Sequence, residues 1–232
     1  MFRSNWFFYS LLLAYFSGCA GNAYYDEASV QRLEFGDART VQDVMRLKPQ
    51  AEYPLRIAIL PPNRGWRTDI FSFEEEQAVM QWADNLRKLG VIERVDFIPQ
   101  FLLPQCKSGD QNCYLEQARV SAARLHANTV LFLQDKSHIS ENGNILSVFD
   151  LTLVGLYIIP GHKISVSTRF EAALFDVANG YLYAYSASRG TAEKTAPLAL
   201  LEVDELKNEA RIDALNKLGT ILEYKIQTEL NR

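Results

Sequence analysis

Residues able to do covalent or proton-transfer chemistry are present in this chain, but not at the spacings chemistry requires. No G-x-S-x-G, H-E-x-x-H, G-x-x-x-x-G-K-[ST] or G-x-G-x-x-G occurs. Gly190 to Thr195 ends in Lys-Thr without the second glycine a phosphate loop needs. Asp135 and His138 stand three apart in a strand-like run, which sends their side chains to opposite faces and forbids a dyad. Glu74-Glu75-Glu76 opens a helical pattern, where negative charge complements the macrodipole, so a structural role accounts for it better than acid/base work. His162 lies in a turn and reads as solvated. Two groups suit binding instead. Tyr181, Tyr183 and Tyr185 alternate along one expected strand beside Arg189, either a docking row on one face or a core face with its hydroxyls at the rim. Arg64, Trp66 and Arg67 fall in a loop after the first strand, where Trp66 either anchors a partner or packs on its own domain.

The first residues read as an export signal. One charge, Arg3, precedes an apolar run from Trp6 to Phe16 broken only by Ser10. About 11 residues is a secretory core, whereas a bilayer-spanning helix needs about 20. Phe16-Ser17-Gly18-Cys19 resembles the lipobox of bacterial lipoproteins, with Phe where Leu is usual. That resemblance implies a signal peptide over residues 1–18, acylation (palmitate included) of Cys19, and a chain held to the membrane through it. The alternative is an incidental Cys in a leader cleaved elsewhere or in an uncleaved anchor. Ala20 after the Cys, where Asp would retain the protein in the inner membrane, implies the outer membrane, facing the periplasm. An exported chain reaches a compartment where disulfides persist, so Cys106 and Cys113, bracketing a polar loop, are expected to pair. Two free thiols are the alternative; a metal site lacks further Cys or His nearby, and no cofactor or metal is expected.

These features need positioning elements, and the pattern supplies them. Residues 19–53 read as a lipidated tether with a short helix near Val41 to Leu47. Residues 54–232 read as one periplasmic domain. Leu55 to Leu60 is a buried strand ended by Pro61-Pro62. Ser72 and Glu75 form a capping box for a helix from Phe73 to Leu89, with Val79, Trp82, Ala83 and Leu86 inward and Gly90 as its stop. Val95 to Leu103, interrupted by Pro99, reads as an edge strand, and Tyr114 to Ala127 as a second helix. Four long strands follow: Thr129 to Ile139, Ile145 to Ile159 (apolar on both faces, hence central), Ile164 to Val177 and Tyr181 to Arg189. They are separated by Asn142-Gly143, Pro160-Gly161 and Asn179-Gly180. Ser165, Ser167, Arg169 and Glu171 give the third of them one wet face. Val203, Leu206, Ala210, Leu218, Ile221, Leu222 and Ile226 mark a last helix that covers the sheet. The expected class is an α/β (α+β) sandwich: β-α-β-α, an antiparallel four-strand meander and a C-terminal helix.

Leu55 to Pro62, Leu151 to Gly161 and Ala173 to Gly180 resemble segments of the rhombotarget lipoprotein family, exported bacterial lipoproteins found in genomes that encode a rhombosortase. That resemblance implies an envelope protein partner tied to a rhombosortase system. No Gly-Gly, hydrophobic stretch and basic tail occurs before Glu229-Leu230-Asn231-Arg232, which argues against direct cleavage. At the level of fold the chain also resembles the curli-secretion lipoprotein and the amino-terminal domain of TolB, which implies assembly by binding other proteins. With 232 residues, 24 Lys+Arg against 28 Asp+Glu and a net charge of -4, the composition is globular and lacks the basic footprint of a nucleic-acid binder. The expectation is a non-enzymatic interaction module in envelope or surface-protein assembly. A small-ligand-binding lipoprotein, or a hydrolase with a site hidden from sequence, is the alternative.

Overall fold

The computed structural model describes residues 24–25, 40–62, 71–106, 111–143, 162–197, 200 and 202–230. Leu55–Leu60 (β2) carries apolar side chains on both faces because it is covered on both: Ile57 and Ile59 join one core cluster, Ala58 and Leu60 the other. It pairs in parallel with Ile92–Phe97 (β3) and Thr129–Gly143 (β4). From β4 the sheet continues antiparallel through His162–Asp176 (β5) and Leu182–Ala196 (β6), giving the order β3-β2-β4-β5-β6. The expected mixed α/β class is what the chain adopts. A two-residue strand, Tyr24–Tyr25 (β1), pairs with β4 beyond the end of β2, Tyr24 opposite Ile139 and Tyr25 opposite His138.

Among the described residues three helices cover this sheet, unequally. Phe73–Lys88 (α2) starts on the expected capping box: Glu75 N–H donates to Ser72 Oγ (3.3 Å) and Ser72 N–H to Glu75 Oε2 (2.8 Å). It stops where Gly90 turns to φ +72°. Its Val79, Trp82, Ala83 and Leu86 pack with Leu215, Leu218 and Leu222 of Val203–Leu230 (α4) on one sheet face. Gln111–Arg124 (α3) covers the other, burying Leu115, Ala118 and Ala122 on Val130, Phe132 and Phe175. The seating of α4 needs two glycines. A Cβ on Gly190 would stand 2.1 Å from the Ala210 carbonyl oxygen, and one on Gly219 would stand 2.7 Å from Trp82.

Helix α4 also reaches the β6 edge of the sheet. A strand edge presents unpaired N–H and C=O groups that invite pairing with other chains. Three of those on β6 meet α4: Lys225 Nζ donates to the Tyr185 carbonyl (2.6 Å), Lys217 Nζ to the Arg189 carbonyl (3.3 Å), and Thr191 N–H to Asp213 Oδ2 (3.1 Å). Asp213, Lys217 and Lys225 recur at multiples of four, so one stripe of the helix does this work.

Some expectations need correcting. Strand β3 begins at Ile92 and ends at Phe97, because after Pro99 the chain makes a 3-10 turn, Gln100–Leu102, where strand was expected. Strand β6 runs seven residues past Arg189, to Ala196, since Gly190 lies inside it, under the helix. The run Ile145 to Ile159 lies outside the described residues; β4 and β5 pair directly from Thr129↔Asp176 to Gly143↔His162. The expected short helix is Val41–Arg46 (α1), capped by Thr40 and Asp43. The tether is fastened at two described places, at β1 and at Lys48 to Glu52.

Candidate interaction surface

The second fastening is built on Asp176. Its Oδ2 accepts from the Tyr183 hydroxyl (2.6 Å), Gln50 N–H (2.7 Å) and Ala51 N–H (3.0 Å), and its Oδ1 from Ala178 N–H (2.8 Å). Burial raises the pKa of this carboxyl, but those hydrogen bonds together hold it below the usual carboxylate range. Burial first, and then the adjacent carboxylate, push the Tyr183 hydroxyl up to about 12. Asn179 Nδ2 donates to the Lys48 carbonyl (2.8 Å) and Asn128 Nδ2 to the Glu52 carbonyl (2.9 Å). This cluster is a clasp for the incoming chain, with every acceptor on Asp176 that it uses already filled.

Tyr183 therefore does not belong to a docking row. Phe175 pairs with Leu182 but Leu174 pairs with Ala184, so Tyr183 is the extra residue of a β-bulge. The bulge reverses the alternation. Tyr181 and Tyr183 stay together, ring centroids 5.3 Å apart, on the face of α2 and α4, whereas Tyr185, opposite Ala173, turns to the α3 face. The three tyrosines do not share a face; Tyr185 alone stands on that of Arg189.

Beyond α3 no described element packs on that face. In register across β4, β5 and β6 lie Lys136, Arg169 and Arg189, all exposed, with His138, Ser167 and Thr191 in the row beside them and Gln134, Glu171 and Ala187 on the other side. Arg169 Nε pairs with Glu171 Oε1 (2.8 Å), and hydrogen bonding to Tyr185 and the charge of Glu171 raise its pKa. Tyr185 is 46% exposed. Lys163 pairs with Glu193 (2.8 Å), which also accepts from Ser165 Oγ (3.2 Å). Both carboxylates of this face are thus occupied, and among the described residues none pairs with Lys136 or Arg189. Like charges directly opposite on neighbouring strands repel, so this row lowers stability unless something external neutralises it.

The other sites expected from sequence are distributed as follows. Cys106 and Cys113 form a disulfide, S–S 2.05 Å, joining the segment before α3 to its first turn. Asp135 faces α4, where Arg211 Nε meets its Oδ2 at 3.0 Å, and His138 faces the opposite way. Cys19, Arg64, Trp66 and Arg67 lie outside the described residues. Among the described residues no three His, Cys, Asp or Glu side chains are grouped to hold a metal, and no helix is long and apolar enough to cross a membrane. Sequence reasoning missed the cation row because its members are far apart in the chain. The alternation at Ser165, Ser167, Arg169 and Glu171 was its one visible trace.

No family model and no curated protein matches this chain. Among solved structures it is similar to a PelC dodecamer from Paraburkholderia phytofirmans (18% identity over 75% of this chain and 94% of that one, TM-score 0.31). It is also similar to lipoprotein GNA1162 from Neisseria meningitidis (12%, 77% and 100%, TM-score 0.32). A third is the LpoB C-terminal domain from Salmonella enterica (11%, 60% and 84%, TM-score 0.31). At these scores the likenesses assign neither family nor function to this chain.

Proposed function

We propose that this chain is a periplasmic lipoprotein, anchored in the outer membrane through acylated Cys19, whose folded domain is a non-enzymatic interaction module in envelope assembly or processing. The observation that carries the reading is the face of β4, β5 and β6 on which no described element packs beyond α3, beside a β6 edge where α4 already takes three backbone groups. It offers cations and a phenol on an open sheet, a geometry for adhesion rather than for enclosing a small substrate. The Cys106–Cys113 disulfide suits an oxidising compartment. A tie to a rhombosortase system rests on the resemblance of Leu55 to Pro62, Leu151 to Gly161 and Ala173 to Gly180 and is part of this proposal.

Acylation is tested by fractionation. Several acyl chains at one terminal Cys hold a soluble domain nearly permanently, at about 0.8 kcal/mol per buried methylene. Cys19→Ser is expected to release the protein from salt-washed membranes into the soluble periplasm, while the wild type stays. Retention of the variant after the wash would refute the lipoprotein reading.

A further inference from the structure

We infer that the row Lys136, Arg169 and Arg189 seats the domain on an anionic phospholipid surface, so that the uncovered face lies toward the membrane that holds Cys19. The inference rests on the acylation reading above. Two independent observations lead to it. The first is the charge: three exposed cations in cross-strand register, two of them without a carboxylate partner among the described residues, in a chain whose net charge is -4. Strand spacing near 4.8 Å makes the row about 10 Å wide and flat, matching a plane of headgroups.

The second is the length of chain to the anchor. Only five residue steps separate Cys19 from Tyr24, at most about 18 Å. Tyr24 and Tyr25 pair with Ile139 and His138, and His138 lies two residues from Lys136 on the same strand face. An acyl chain at Cys19 cannot leave the bilayer, so the sheet region carrying the row is kept close to the headgroups. Attraction to them falls off within about 10 Å at moderate salt. One lipid anchor plus a basic patch is a known two-part membrane attachment, each cation adding about fivefold to affinity near an anionic surface. An acidic protein partner would also meet the charge, but nothing in the path of the chain brings one there.

The test removes the acyl chain and keeps the face. Cys19→Ser protein is mixed with vesicles of phosphatidylcholine alone, or of phosphatidylcholine with phosphatidylglycerol, and floated at rising salt. Binding only to the mixed vesicles, lost with salt, is expected. K136S/R169S/R189S in the same background should bind on the order of a hundredfold more weakly. A control lacking one exposed cation each from α1, α2 and α3, R46S/K88S/R124S, should keep most of the affinity. No binding to mixed vesicles, an equal loss in the control, or binding of an acidic Glu/Ser peptide to the row in place of the vesicles would each overturn the inference. Mass spectrometry of the mature wild-type chain separates the two readings. An unmodified Cys19 sinks the anchor and the geometry drawn from it, whereas an acylated Cys19 with no vesicle binding sinks the inference alone.

Discussion

The two faces of the long antiparallel strands are made from the same three stretches of chain, one residue out of phase, and they have opposite fates. Inward, Val166, Thr168 and Phe170 of β5 are fully buried. Ser137 and Thr168 satisfy one another across the pair at 2.8 Å, and Asp135 is neutralised by Arg211. Outward, Lys136, Ser167 and Arg169 alternate with them, and no described helix packs on them. On the covered face Ser137, Thr168 and Asp135 are matched because burying a polar group unpaired is costly, and Trp82 Nε1 and Ser186 Oγ are the exceptions there among the described residues. On the open face like charges stand side by side, tolerated because water screens them.

The comparison can be broken by mutation. The largest effect is expected on the covered face, where Trp82→Ala should lower stability by about 3–5 kcal/mol, read as a shifted urea midpoint with an unchanged slope. Gly190→Ala comes next. Its methyl would meet backbone, which cannot swing aside as a side chain can, so a cost at the top of about 1–3 kcal/mol is expected in the same assay. Then comes the clasp. Asp176→Asn should cost about 1–3 kcal/mol at neutral pH. Because the carboxyl is held below its ordinary value in the folded state, its contribution is present above the unfolded-state pKa and disappears as pH falls through the folded one. Wild type and variant should therefore converge in stability as pH falls through and below the ordinary carboxylate range, and a constant gap across the acid range would count against the clasp. The smallest effect is expected for Arg189→Ser, immediately before Gly190. It should change stability by less than about 0.5 kcal/mol, with any gain confined to low salt. If neighbouring residues 189 and 190 gave equal losses, the open face would have to be packed after all.

How much of this could be read in the sequence depends on how local the cause is. The Ser72–Glu75 capping box, the Gly90 stop and the Asn179-Gly180 turn each act within a few residues, and each stands where the sequence put it. The stripe of α4 was legible because burial repeats at the helical period. The bulge at Tyr183 was not, because neither Leu182 nor Ala184 announces an extra residue; it is fixed by Asp176, seven residues away, gripping the Tyr183 hydroxyl. Gly190 read as the end of a strand because a glycine weakens one. Here it is required by a helix more than ten residues further on, a relation periodicity does not encode. The cation row joins residues 33 and 20 positions apart, so only the register reveals it.

The hold of α4 on the edge of β6 has a consequence for the order in which the molecule can be assembled. A chain made amino-terminus first delivers β4, β5 and β6 before the residues that meet this edge, since Asp213, Lys217 and Lys225 come last. Until that helix arrives, a 15-residue strand stands open to any neighbour with a free edge of its own. The final helix therefore acts as a built-in substitute for a chaperone, and a chain stopped short of Asp213 would leave to its neighbours the backbone groups that the finished helix takes up.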